Sequence, residues 1–248
     1  MSSTINSALN RHLAKLLRSG PVSEAGQRAF LSLATRTKEH PTYRDIVREG
    51  DPTEWCCFIE EGLVSRCKSL RNGDRQIVAF HIPGDLVDLQ SCLVRVSDHT
   101  IRTHTPTVIH SVACDDILTI AEEYPELGRA LWFDTLVDGA IFREWTLNVG
   151  RRTGRERTAH LLLEFAFRFA TIGQSDGTEF VLPITQADLA DAVGLSPVHL
   201  NRCLQALRAD GLIRTFGKTI VIEDREAMVR EADFRTTYLH PERARVHL

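Results

Sequence analysis

The sequence predicts an α+β protein made of a small β-roll of the jelly-roll kind, one long helix and a C-terminal winged helix-turn-helix. Three observations carry this reading. Residues 184–223, ITQADLADAVGLSPVHLNRCLQALRADGLIRTFGKTIVIE, hold two capped amphipathic helices, a glycine turn and a hairpin. Residues 45–113 tend to alternate apolar and polar positions between recurring glycines, and residues 125–150 carry apolar residues on two sides with no internal proline. At 248 residues the chain is long enough for two ordinary domains. The expected boundaries are 1–124 for N-terminal helices and a sensor-like roll and 125–150 for a dimerisation helix. Then come 151–233 for the winged helix-turn-helix domain and 234–248 for a flexible tail.

In chain order, residues 5–18 and 22–34 read as two short helices, the second capped by Ser23. Turn chemistry then recurs at Gly50-Asp51-Pro52, Glu61-Gly62, Asn72-Gly73-Asp74 and Pro83-Gly84-Asp85. Asn-Gly between alternating runs is the strongest short hairpin signal, because both central positions of its turn take positive φ. Short strands at this spacing form a small barrel or roll. The polar residues Asp88, Gln90, Ser91, His99 and Thr100 fall in this part. They read either as the lining of an effector pocket or as ordinary roll surface.

The long helix carries Ala130, Phe133, Leu136, Val137, Ala140 and Ile141 on one stripe, with Leu127, Leu131, Phe142, Trp145 and Val149 nearly opposite. A helix that is apolar on two sides needs cover on two sides. One side meets the roll; the other most simply meets its twin in a homodimer, burial inside one large monomer being the alternative. Gly150-Arg151-Arg152-Thr153-Gly154 reads as a hinge. Beyond it, residues 155–170 form a helix with Leu161, Leu162, Phe165 and Phe169 inward, then a polar connector and a short strand at 180–182.

The C-terminal module is the most informative stretch. Thr185 caps its first helix with Asp188 three residues on, Leu189 and Val193 face inward, and Gly194 makes the turn. Ser196-Pro197 opens the second helix with a capping hydroxyl and a proline that loses no amide bond there. Leu200, Cys203, Leu204 and Leu207 share one face at about 100° per residue. A recognition helix enters the major groove by its N-terminal part, which makes Val198, Asn201, Arg202 and Gln205 the base-edge candidates. Arg suits guanine, Asn or Gln suits adenine, and Val suits a thymine methyl. Thr185, Ser196, His199 and the wing-tip Lys218 are the phosphate candidates. An ordinary amphipathic core helix with a solvated polar side is the plainer reading, and the coincidence of caps, turn, stripe and hairpin weighs against it.

The net charge of −3 is unusual for a DNA binder, so its distribution matters more than its total. Arg151, Arg152, Arg155 and Arg157 precede the module, and Arg202, Arg208, Arg214 and Lys218 lie within it. Six dispersed cysteines point to reduced thiols in a cytoplasm. No apolar run has membrane length, and no membrane partner is expected. Cys203 is a redox candidate by its place in the recognition helix, against the plainer role of a small buried hydrophobe.

The order of parts, with the runs EGD (Glu49–Asp51), EGLV (Glu61–Val64), NGD (Asn72–Asp74), PGDL (Pro83–Leu86) and the ending GLIRTFGKTIVI, resembles the Crp/Fnr superfamily of bacterial transcription regulators. The match runs from Val47 to Glu223. The resemblance implies a cyclic-nucleotide-binding-like roll, a homodimer on a palindromic promoter site, contact with double-stranded DNA and RNA polymerase, and activation or repression of transcription. The run SPVHLNR is similar to regulators of an α-proteobacterial type, including relatives of nitrogen-fixation regulators.

Departures from the family pattern are equally informative. Where the cyclic-AMP branch opens its recognition helix with Arg-Glu-Thr, this chain has Pro197, Val198 and His199, and only Arg202 is kept. The fumarate-nitrate branch's Glu and Ser-Arg pair are matched by Val198 and Asn201-Arg202. In the roll, Leu89 stands where a ribose-binding Glu is wanted, and His99-Thr100 stand where a phosphate-binding Arg-Ser pair is wanted. Cyclic AMP bound by the usual contacts is therefore not expected. An iron–sulfur cluster is not expected either, since residues 1–55 hold no cysteine and Cys56-Cys57 are adjacent. Haem stays open through His40, His81, His99, His104 or His110, without diagnostic spacing.

No cofactor, metal site or catalytic residue is predicted. A cupin-like metalloenzyme is argued against by the lack of convergent ligands around His81 and His104. A ligand-sensing module whose winged helix makes only protein contacts is the other alternative, and Asn201 and Arg202 weigh against it.

Overall fold

The computed structural model describes residues 7–241. Two helices open this part of the chain, α1 (Ser7–Leu16) and α2 (Glu24–Leu31). The Ser23 hydroxyl accepts the Gly26 N–H at 3.1 Å, the expected cap. Eight strands follow: β1 (Arg36–His40), β2 (Asp45–Val47), β3 (Trp55–Glu61), β4 (Val64–Ser69), β5 (Arg75–His81), β6 (Leu86–Val87), β7 (Thr100–Thr103) and β8 (Thr107–Ala113). They form two four-stranded sheets with orders β1-β8-β3-β6 and β2-β7-β4-β5, the expected roll. A short helix α3 (Ser91–Val94) precedes β7, and α4 (Cys114–Glu123) follows β8. Phe30, Phe58, Val112, Ile117 and Leu127 are fully or almost fully buried in the core under α1, α2 and α4. Cys56 and Cys57 turn to opposite faces of β3, and both faces are covered.

The Asn72-Gly73 turn departs from expectation. Only Gly73 takes positive φ (93°), while Asn72 keeps the ordinary sign and accepts the Asp74 N–H on its side chain at 3.0 Å. The loop spans Leu70–Asp74, bonded Leu70 N to Asp74 O. That length needs a single left-handed residue, rather than the two of a two-residue turn.

The long helix α5 (Pro125–Arg151) has the expected extent but a different apolar plan. Leu127, Ala130, Leu131, Val137, Ala140 and Trp145 are buried, so the covered face draws on both expected stripes. Trp132, which belonged to neither, is 65% exposed, with Leu136, Phe142, Leu147 and Val149 also out. The inward direction falls between the two stripes, and the open side is centred on Trp132 and Leu136.

Helix α6 (Gly154–Thr171) starts at a capping box made by Thr153 and Glu156. Then come β9 (Glu179–Val181), α7 (Gln186–Val193), α8 (Pro197–Ala209), β10 (Ile213–Phe216), β11 (Thr219–Ile222) and α9 (Arg225–Ala232). The wing is a three-stranded sheet ordered β10-β11-β9. Helix α9 is not among the expected elements; the Asp224 side chain caps it, and Met228 and Ala232 pack inward.

The expected flexible tail needs correction as well. Phe234 is buried, a 3-10 turn spans Thr236–Leu239, and the Tyr238 hydroxyl donates to Glu164 Oε2 at 2.8 Å. Two aromatics four residues apart are too few to set a periodicity, which is why the sequence hid this anchoring. The rest of that tail, 242–248, lies outside the described residues. Contacts divide the chain into two units. Of the described residues, one holds 7–66, Phe80–Ala140 and 239–241; the other holds Cys67–Ala79 and Ile141–Tyr238.

Candidate nucleic-acid interface and the polar centre of the roll

Helices α7 and α8 are set by local chemistry. The Thr185 hydroxyl accepts the Asp188 N–H at 3.1 Å, and the Asp188 carboxylate accepts the Thr185 N–H in return at 3.3 Å. Gly194 ends α7 in the left-handed conformation (φ 61°), which a side chain would disfavour, and so allows the sharp turn into α8. Ser196 caps α8 by accepting the His199 N–H at 3.2 Å, with Pro197 in the first turn. Leu200, Leu204 and Leu207 are then buried, each burial contributing about 1.5–3 kcal/mol, with Cys203 beside them.

With that face inward, the opposite one is open. Val198 is 65% exposed, Arg202 and Gln205 are exposed, and Asn201 is half-buried. Arg202 has no ion pair or hydrogen bond among the described residues. Asn201 donates to Gln186 Oε1 at 3.3 Å, a long contact that couples the two helices of the motif. The four base-edge candidates thus lie together on one helix surface.

The phosphate candidates divide. Ser196, His199 and Lys218 are exposed, Lys218 in the two-residue wing turn Gly217-Lys218. Thr185 has its hydroxyl proton engaged by Asp188 Oδ2 at 2.6 Å, so it serves the cap and has no proton left for a phosphate.

The basic run before the motif is also partly neutralised. Arg155 bonds Asp210 and Glu231 at 2.6 and 2.7 Å, and Arg152 bonds Glu144 at 2.8 Å. Arg214 is paired with Glu223, and Arg208 donates to Thr215. The open cations at this surface are therefore fewer than the sequence count suggested.

Cys203 lines a recess of about 430 Å³ with Arg155, His199 and Arg202. Burial pushes its thiol up against the opposing pull of Arg157, which favours the unreactive protonated form.

Two residues that the sequence did not single out steady α7. Arg75 donates to Asp191 at 2.9 and 2.7 Å and to Asp188 at 2.8 Å, while Gln76 donates to the Ala192 carbonyl at 3.1 Å. Burial alone would lower the Arg75 guanidinium, but the bonds to Asp191 and Asp188 outweigh it and raise it. More than a hundred residues separate these partners, so no local pattern announced them.

In the roll, the five pocket candidates are not equivalent. Asp88 (2% exposed, φ 65°) accepts from Gln90 Nε2 at 3.2 Å and lies 2.7 Å from His99 Nε2. The other His99 nitrogen is 2.6 Å from Asp98 Oδ1. Ser91 is buried at the start of α3, and the Thr100 hydroxyl accepts the Glu49 N–H at 3.2 Å, away from this group. Arg66 and Asp138, unmarked in the sequence reading, complete the centre. Arg66 Nη1 donates to Asp138 Oδ2 at 2.6 Å, and Arg66 Nε lies 3.6 Å from Asp88 Oδ1. The other histidines raised for haem have their own surroundings. His104 bonds the Ser65 hydroxyl at 2.7 Å, and His110 lies 3.3 Å from Glu60.

Comparison with known proteins bears on both regions. Residues 156–231 match the Crp-like helix-turn-helix domain, and residues 38–124 match the cyclic nucleotide-binding domain. The chain is 30% identical to the nitrogen fixation regulation protein FixK of Azorhizobium caulinodans, over 75% of each chain. It is 28% identical to the transcriptional activator protein FnrL of Cereibacter sphaeroides, over 75% of this chain and 76% of that one. The structure of FixK2 from Bradyrhizobium japonicum superimposes with a TM-score of 0.74 at 27% identity, covering 80% of this chain and 97% of that one. The sequence's likeness to nitrogen-fixation regulators thus meets a named relative of that kind.

Proposed function

Because the chain belongs to the Crp/Fnr family of DNA-binding transcription regulators, we propose that it acts as a homodimer that reads a palindromic promoter site through α8. The observation that carries this is the outer face of α8, where exposed Arg202, without a partner among the described residues, stands with Val198, Asn201 and Gln205. A guanidinium left unpaired on a capped, rigid helix suits guanine O6 and N7. Ser196, His199 and Lys218 flank it for phosphates. The exposed apolar side of α5, with Trp132, Leu136 and Leu147 near helical spacing, suits a second copy of the same helix. A two-fold dimer then presents two α8 helices to two half-sites.

Its partners are double-stranded DNA and RNA polymerase, which places its work in the bacterial cytoplasm. Among the described residues no helix is long and apolar enough to cross a membrane. Selection of bound duplexes from a random pool, with reduced protein and no added ligand, tests the reading. A two-fold symmetric motif is the expected product. A pool without enrichment, from protein shown to be folded and dimeric, argues against a reader that works unaided.

A further inference from the structure

Residues 38–124 match the cyclic nucleotide-binding domain, yet the polar side chains of this group in the roll make their hydrogen bonds to one another. An anionic phosphate needs cations or N–H donors. Here Asp88 is 2% exposed and its Oδ2 has no hydrogen-bond partner among the described residues, so an unpartnered carboxylate oxygen lies in the residue that bonds His99 and precedes Leu89, where an anion needs donors instead. The residues that the resemblance aligns with the ribose and phosphate ligands are Leu89, His99 and Thr100. The first has no polar atom on its side chain, the second is held between Asp88 and Asp98, and the third is bonded to the Glu49 backbone. The only guanidinium in this group, Arg66, is bound to Asp138 and close to Asp88. These residues do not fit a cyclic nucleotide.

They do make a connection that a ligand would otherwise make. Arg66 lies in β4, Asp88 follows β6, and Asp138 lies on α5, the helix whose chain continues from the first unit into the second. Burial alone would pull the Arg66 guanidinium down, and Asp138 and Asp88 together raise it instead, so the charge stays on. Burial alone would raise the Asp138 carboxyl, and Arg66 and His81 hold it low. The left-handed backbone of Asp88, tolerated by Asp better than by most residues, keeps its carboxylate turned to the group. Asp138 lies on the part of α5 that belongs to the first unit, and its bond to Arg66 ties that part of the helix to the roll.

We propose that Arg66 is a built-in ligand: set between Asp88 and Asp138, it fills the centre of the roll and fixes α5, so that the protein binds DNA without a cyclic nucleotide. The part concerning DNA rests on the function proposed above; the closure of the pocket does not.

The test uses full-length protein, cyclic AMP and cyclic GMP, and a duplex enriched from the random pool. Calorimetry of the wild type with either nucleotide at millimolar concentration is expected to show no binding, and duplex affinity is expected to be the same with and without them. Measurable nucleotide binding, or tighter duplex binding on adding it, overturns the proposal. In the triple variant Arg66→Met/Asp88→Asn/Asp138→Asn the charges go but the volumes stay, which buried ion pairs often tolerate. It is expected to fold and to bind the duplex about tenfold more weakly, within the usual span of coupling between sites. A folded triple variant that binds like the wild type shows that Arg66 only fills space. If the triple variant does not fold, Arg66→Lys replaces it, since a lysine cannot span both carboxylates as a guanidinium does. That variant is expected to bind the duplex more weakly, and wild-type affinity overturns the tie. If the wild type binds no duplex at all, the DNA reading fails on its own. Hydrogen exchange at residues 133–140, expected to be faster in the variant, still tests the tie, and unchanged exchange overturns it.

Discussion

Two arginines set the two halves of the protein apart. Arg66 is almost enclosed, bonded to Asp138 and near Asp88. Arg202 stands exposed on α8 with no partner among the described residues. The same group is held between carboxylates inside the roll, with Nη1 bonded to Asp138, and stands without a carboxylate on the helix-turn-helix. Binding capacity is therefore read from which donors the fold leaves unsatisfied, and a count of basic residues misses it. Arg152 and Arg155 make the same point, since both precede the reader and both are paired with acids.

The comparison breaks most visibly at Arg66. Arg66→Ala leaves Asp88 and Asp138 without their cation and is expected to destabilise the protein by less than the about 3–5 kcal/mol of a fully buried pair, because the Asp138 side chain is 35% exposed. Denaturant unfolding measures this; a loss no larger than that of a surface substitution contradicts the paired role.

His160 gives the next largest effect. It is fully buried, with Asn148 donating to Nδ1 at 3.1 Å. Its Nε2 lies 3.2 Å from Glu144 but is too poorly aligned for a hydrogen bond. Burial first, then Arg152, lowers its pKa from 6.5 to about 3. The unfolded chain takes up this proton first as pH falls. The stability contribution is therefore whole above about pH 6.5 and is lost as pH falls toward about 3, with a slope of up to ~1.4 kcal/mol per unit. Unfolding curves of wild type and His160→Gln across that window are expected to differ in slope, and parallel curves contradict the assignment.

On the open side, Arg202→Ala is expected to cost about 1–3 kcal/mol of specific binding with little change in stability. Thr185→Ala should remove about 1 kcal/mol of stability through the lost cap, read from its unfolding midpoint. An unchanged midpoint with weaker DNA binding would return Thr185 to the phosphate set. Lys218→Ala has the smallest expected effect: it should weaken all duplexes alike and lower the salt slope by about 1. A loss confined to one base position contradicts a phosphate role.

What was legible in the sequence was local. Thr185 with Asp188, Ser196 with Pro197, Gly194 and the Leu200–Leu207 stripe all act within one or two turns, so pattern alone fixed them. The roll's turns were legible for the same reason, although Asn72 shows that a dipeptide does not set the loop length. What was hidden depends on partners far along the chain. Arg66 and Asp138 are 72 residues apart, and Arg75 and Asp191 are 116 apart. The apolar plan of α5 differs from the expected one because the angle of its covered face depends on what packs there. Tyr238 and Phe234 anchor the chain after α9 through Glu164 and His160, contacts that no periodicity signals.

Base reading by α8 through Arg202 is open to a cycle of four affinities: wild type and Arg202→Ala, each against the selected duplex and against one with a guanine of each half-site replaced. A clear penalty for the base change is expected in the wild type and almost none in the variant. An equal penalty in both proteins would mean that another residue reads that base.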